Sequence, residues 1–208
     1  PTSFYNLINR IQDPAPNSPA GHELTYIRSV SQQSQQYATV IMAAANSITQ
    51  QSSSYPADGV NSLADQLKIV ARLIAGGLKT KVYMVNLSGF DTHSAQVDSS
   101  NVLTGTHAEL LDKVSVAIKA FMDDLTFLNV DDRVTGMTFS EFGRRIKSNS
   151  SEGTDHGAAA PMFVFGKKVQ GGIIGTNPSI PSVISSSDNI PMQYDFRSVY
   201  ASLLQDWF

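Results

Sequence analysis

The sequence predicts an α/β protein with a mostly parallel sheet flanked by helices. Three observations predict it. Helical periodicity alternates with short β-branched apolar runs in the order helix, strand, loop, helix, strand, loop, strand. Two of the connecting loops are polar and leave the carboxyl ends of those runs, where open α/β sheets place their ligands. The chain of 208 residues is long enough to bury a core without cross-links.

Residues 3–12 carry a short helical pattern stopped by Pro14, Pro16 and Pro19. Residues 21–51 read as one long helix or two, with Leu24, Ile27, Val30 and Ser34 on one face, followed by Tyr37, Ile41, Ala44 and Ile48. Half of residues 31–54 are Ser or Gln, which marks a solvated helix running into a loop. A turn cluster at 56–61 precedes a helix opened by Ser62, with an apolar stripe of Leu63, Leu67, Val70, Ile74 and Leu78. Gly76 and Gly77 loosen its end.

The run KVYMVNLS at 81–88 predicts a buried strand. Residues 104–128 hold the clearest helix, with Leu110, Val114, Ala117, Phe121, Leu125 and Leu128 at helical spacing. Strands are predicted at 133–140 and 162–166. QGGIIG at 170–175 reads as a turn, because it neither matches the dinucleotide fingerprint nor opens a helix. A Pro- and Ser-bearing loop follows to about residue 190. The last helix, DFRSVYASLLQDWF, is capped by Asp195. Phe4, Tyr5, Trp207 and Phe208 read as packing residues. The predicted organisation is a single α/β domain over 1–208, or the carboxyl-terminal part of one, with a helical segment at 1–60 and a core at 61–208.

Composition excludes several functions. There is no cysteine, hence no thiolate nucleophile, zinc–sulfur site or disulfide. Fifteen basic and 18 acidic residues give a net charge of −3, which is no footprint for nucleic acid. No apolar run is long enough to span a bilayer.

The residues able to do chemistry fall in the two polar loops. Asp91 and His93 (GFDTH) lie in the first, and Asp155 and His156 (GTDHG) in the second. Asp and His supply oxygen and nitrogen ligands for a divalent ion, Zn²⁺, Mn²⁺, Fe²⁺ or Ca²⁺. Either pair alone is usually a hydrogen-bonded turn. Two pairs at one sheet edge, holding two of only four histidines, suggest that they hold one such ion or share two. Glu141 follows the second strand, as ligand, general base or ion-pair partner of Arg144 or Arg145. Arg144 and Arg145 either clamp an anion or form a solvated pair. His107 reads as a buried histidine, with ligation the alternative, and His22 as a surface residue. Thr92, Ser94, Ser140 and Thr154 are the hydroxyls near this edge, and none sits in a nucleophile-elbow motif.

Together these motifs resemble the exported bacterial family called domain of unknown function 1501. The resemblance rests on LADQLKIVARLIAGGLKTKVYMVNLSGFDTHSAQ, AIKAFMDDL, VTGMTFSEFGRRIKSNSSEGTDHGAAAPMFVFG, GGIIGTNPSI and DFRSVYASLLQDWF, and covers roughly residues 60–208. It implies membership of the alkaline phosphatase and sulfatase superfamily, an α/β sandwich, and metal-assisted hydrolysis of a phosphate or sulfate ester. It implies that Asp91, His93, Asp155 and His156 bind a divalent metal, that Glu141 and Arg144 are catalytic, and that the protein is exported to the periplasm or cell surface. By the motif order of cofactor-independent phosphoglycerate mutases, Asp91 and His93 match a first metal loop and His156 a last metal histidine. Ser140 and Glu141 fall at the position of an Asp-His pair. The resemblance also implies that this is the carboxyl-terminal half of a longer protein, inactive by itself and completed by an amino-terminal half. The rival expectation is a non-catalytic surface protein on the same scaffold, binding a glycan or a protein partner.

Overall fold

The computed structural model describes residues 14–207. The helix expected over 3–12, and the packing roles of Phe4, Tyr5 and Phe208, lie outside the described residues. The chain divides into two compact units. One takes the residues up to Gln51 together with Ile69–Tyr83, and the other takes Ser52–Lys68 with Met84 onward.

The first unit is built on α1 (Pro19–Ser47). Ser18 caps it, its Oγ accepting from the Gly21 N–H at 3.2 Å, and Pro19 occupies the first helical position, where its missing N–H costs nothing. It is a single helix, and only Gly21 and Ala44 are buried along it. Leu24, Ile27, Val30, Tyr37 and Ile41 are exposed. Close approach to this helix requires glycine at 76, since a Cβ there would stand 2.0 Å from the Ala44 carbonyl oxygen.

α2 (Ser62–Ala75) lends its first half to one unit and its second to the other. Its cap is Asn61 rather than Ser62. The Asn61 Oδ1 accepts from the N–H groups of Leu63 and Ala64, and its Nδ2 donates to the Lys113 carbonyl at 2.8 Å. The helix closes as a Schellman turn, with Leu78 N–H on Leu73 O and Gly77 N–H on Ile74 O. Gly77 has φ +81°, which favours glycine there. Leu63, Ala64, Leu67, Ala71 and Leu73 are its buried residues.

The second unit is organised by α3 (Thr106–Phe127), which buries Leu110, Ala117, Ala120, Phe121 and Leu125 at helical spacing. Asp124 is fully buried in the same stripe. Its Oδ1 accepts from the Ser52 N–H at 2.7 Å, so the carboxylate is satisfied where sequence periodicity alone would place an apolar side chain. A 3₁₀ turn (Asp131–Arg133) follows. α4 (Phe196–Trp207) starts at Asp195, whose Oδ1 accepts from the Arg197 N–H at 2.9 Å.

The parallel sheet is not there. Among the described residues four α-helices dominate, and the only ladders are two antiparallel pairs of two residues each. β1 (Gly136–Met137) pairs with β4 (Val164–Phe165), and β2 (Gly143–Arg144) with β3 (His156–Gly157). The physical reason lies in the connections. Parallel neighbours need a crossover, usually a helix. Residues 141–161 contain none, so the chain doubles back and pairs antiparallel. Residues 81–88 form no strand. The Asn86 N–H and carbonyl are both taken by the Gln66 side-chain amide, at 3.1 and 2.8 Å, and Val82 and Met84 face solvent. The α/β sandwich expected from the family resemblance is overturned with the sheet. No described helix is long and apolar enough to cross a membrane.

Candidate metal centre

Two loops make the site. Residues 91–97 lead toward α3, and residues 149–157 lead into β3. They are laced by backbone hydrogen bonds: Ala95 N–H to Ser151 O at 3.0 Å, Gln96 N–H to Glu152 O at 2.9 Å, and Thr154 N–H to Thr92 O at 3.3 Å. Such lacing needs close backbone approach, which Gly153 permits. A Cβ at 153 would lie 2.3 Å from the His93 carbonyl carbon and 2.6 Å from the Ser94 nitrogen. The β2–β3 ladder adds a third strap, with Arg144 opposite His156 and the Arg145 N–H on Asp155 O.

Arg144 pins both loops from within. Its guanidinium donates to the carbonyls of Phe90 and Thr154 and to Thr92 Oγ1, and its side chain is only 18% exposed. It stands 3.7 Å from Asp91. Gln96 is a second pin, accepting on one oxygen from the hydroxyls of Thr92 and Thr154 at 3.1 and 2.7 Å. Asn149 is a third: its Oδ1 accepts from the N–H groups of Ser151 and Gly153, while its Nδ2 donates to His93 O at 2.7 Å.

This scaffold brings Asp91, His93, Asp155 and His156 together. Asp91 Oδ1 lies 2.7 Å from His156 Nε2 and 3.1 Å from His93 Nε2, and the two ring nitrogens are 3.2 Å apart. Asp155 stands on the other nitrogen of His93, Nδ1, at 3.2 Å. All four residues are exposed. The Phe142 ring stacks on His156 with centroids 3.8 Å apart and planes at 9°, and the Arg144 guanidinium lies 5.1 Å from the Phe142 ring. The imidazole is thus fixed by an aromatic neighbour.

The electrostatics favour ionised carboxylates. The hydrogen bond from His156 first, and then the proximity of His93 and Arg144, hold the Asp91 carboxyl below the usual carboxylate range. His93 first, and then Asn149, do the same for Asp155.

The remaining predicted residues lie elsewhere. Glu141 is exposed and outside the three-atom group. Arg145 is occupied with the carbonyls of His156 and Ser186. Ser140 donates to the Phe142 carbonyl. His107 packs edge-on to Phe90 at 6.0 Å and its Nδ1 has no hydrogen-bond partner; burial first, then Arg144, pushes its pKa down. His22 is exposed, 3.4 Å from Asn17 Oδ1. Phe142, Gln96 and Asn149 were not singled out by the sequence. A lone Phe, Gln or Asn in a polar loop has no spacing that separates it from its neighbours.

Over residues 6–207 the chain matches the family described as Protein of unknown function (DUF1501). It belongs to that family. The match takes in both loops of the site of this DUF1501 chain, α1 to α4 and both short ladders. No curated protein and no solved structure matches it.

Proposed function

We propose that this DUF1501 protein binds a divalent cation through Asp91, His93 and His156, and that the ion serves hydrolysis of a phosphate or sulfate ester. One observation carries the reading. Cis ligands on a cation with bonds of about 2.1 Å stand roughly 3 Å apart. The three ligand atoms here are separated by 2.7, 3.1 and 3.2 Å. Two imidazoles and one carboxylate suit Zn²⁺, Mn²⁺ or Fe²⁺ better than Ca²⁺, which prefers oxygen alone. Three protein ligands at an exposed site leave coordination positions open, as in catalytic rather than closed structural centres.

A bound ion would polarise the ester oxygen and supply hydroxide from water near neutral pH. That matters because Thr92, Thr154 and Ser140 already donate their hydroxyl protons to Gln96 and to the Phe142 carbonyl. The proposed nucleophile is therefore water rather than any of these three hydroxyls. The same commitment of the hydroxyls favours a second reading, in which the loaded site binds an anionic ligand, glycan or protein group without turning it over.

The test is metal content after exposure to Zn²⁺ or Mn²⁺ and desalting, with turnover of chromogenic phosphate and sulfate esters measured on the same samples. About one ion per chain is expected, falling more than about 100-fold in affinity in His156→Ala and Asp91→Ala. No retained ion in the unmodified protein would sink the reading. Retention without turnover would leave the binding role.

A further inference from the structure

We propose that Asp155 and Asn149 form a positioning pair that sets the tautomer and orientation of His93, so that its Nε2 lone pair faces Asp91 and His156. The inference uses the cation reading only for its consequence for affinity. Its basis is the bonding around one ring. A neutral imidazole carries one N–H and one lone pair. Asp155 Oδ1, 3.2 Å from His93 Nδ1 in hydrogen-bonding geometry, is a carboxylate oxygen and can only accept, so the proton belongs on Nδ1; Asp91 Oδ1 comes as near to Nε2, at 3.1 Å, but outside hydrogen-bonding geometry. That leaves Nε2 with its lone pair at the three-atom group. His156 Nε2 can then donate to Asp91 at 2.7 Å in the metal-free protein, a proton it would release to solvent on ligating a cation.

Asn149 holds both partners of that contact. Its Nδ2 donates to the His93 carbonyl at 2.7 Å and reaches Asp155 Oδ1 at 3.5 Å. Its Oδ1 accepts from Ser151 and Gly153, and its own N–H donates to Gly153 O at 2.9 Å. Every polar atom of the Asn149 side chain is engaged, and each engagement fixes the loop that carries Asp155 or the backbone that carries His93. Metal-binding histidines are generally oriented in this way by a carboxylate on the second ring nitrogen. Asp155 therefore stands behind a ligand and is not one.

The experiment uses the full chain with ¹⁵N-labelled histidine, metal-free and then loaded with Zn²⁺, read by long-range ¹H–¹⁵N correlation. The Nδ1–H tautomer of His93 is expected before any metal is added. Asp155→Ala should give the other tautomer or a mixture and weaken Zn²⁺ binding about 10–100-fold. Asp155→Asn keeps an acceptor oxygen, so it should retain the tautomer and most of the affinity. Asn149→Ser should weaken binding and broaden the His93 signals. A proton on Nε2 in the unmodified protein, or an unchanged tautomer in Asp155→Ala, would overturn the inference. The expected tautomer without Zn²⁺ uptake would overturn the cation reading alone.

Discussion

Residues 91–97 with 149–157, and residues 170–184, are both largely irregular and glycine-bearing, yet they hold themselves in opposite ways. The first pair is laced backbone to backbone and pinned by Arg144, Gln96 and Asn149. The second stretch bonds to the rest of the chain chiefly through Gln193, which accepts from Thr176 N–H at 2.9 Å and donates to Thr176 O at 2.6 Å. Ile173, Ile174 and Val183 are 95%, 86% and 85% exposed. The two regions differ in composition too, the second holding five Ile or Val residues and no charged one. What separates them is whether side-chain amides and guanidiniums reach across to another segment's carbonyls. Only the first arrangement can hold ligand atoms about 3 Å apart, because such spacing needs side chains whose backbones do not drift.

The strongest way to break that contrast is to push the laced loops apart. In Gly153→Ala the new methyl would meet the His93 carbonyl carbon at 2.3 Å, a backbone atom that cannot swing aside. We expect a loss of about 1–3 kcal/mol in stability, the usual range for overpacking. Zn²⁺ affinity should fall with it, because the displaced backbone is that of His93, a proposed ligand. Denaturant unfolding and a metal titration on the same variant check both. Full affinity at reduced stability would mean that the site is held by Arg144 and the β2–β3 ladder rather than by the lacing.

How the sequence performed follows the same physics. α2 and α3 are legible because apolar spacing and end signals are local: α2 stops at Ala75, just before Gly76 and Gly77, though its expected stripe runs on to Leu78, and α3 spans 106–127 against an expected 104–128. The sheet was not legible. The runs at 133–140 and 162–166 each hold a two-residue strand, and these pair antiparallel with each other; the run at 81–88 holds none, because strand partners are non-local and Gln66 takes the backbone groups of Asn86. Asp91, His93, Asp155 and His156 stood out because Asp/His pairs are scarce in this chain. The expected parallel sheet, absent among the described residues, is not what makes them converge. Their convergence comes instead from Arg144, Asn149 and a two-residue antiparallel ladder.

A smaller effect is expected where the loose stretch gives way to order, at Asp195. Its carboxyl is held down at about 2 by hydrogen bonds from the Arg197 side chain first and the Arg197 backbone next. A depressed folded-state value means that the cap contributes above the ordinary carboxylate range and is lost as pH falls through the folded value. Acid titration followed by α4 amide shifts should therefore show a transition toward pH 2. Asp195→Asn should remove that transition and leave the site loops unmoved. A transition near the ordinary 3.8 would mean that the Arg197 contact does not form in solution.

The smallest effect belongs to the loose stretch itself. Ile173 and Ile174 are almost fully exposed, so replacing both with Ser removes little buried apolar area. Surface changes of this kind stay within about 0.5 kcal/mol. Unfolding midpoint and Zn²⁺ affinity should both match the unmodified protein. The outcome is informative because the two isoleucines sit between Gly172 and Gly175, and exposed apolar side chains can be covered by a partner. A drop in stability larger than about 0.5 kcal/mol would show that they are buried in solution. The two regions would then differ in what covers them, and not in whether they are held.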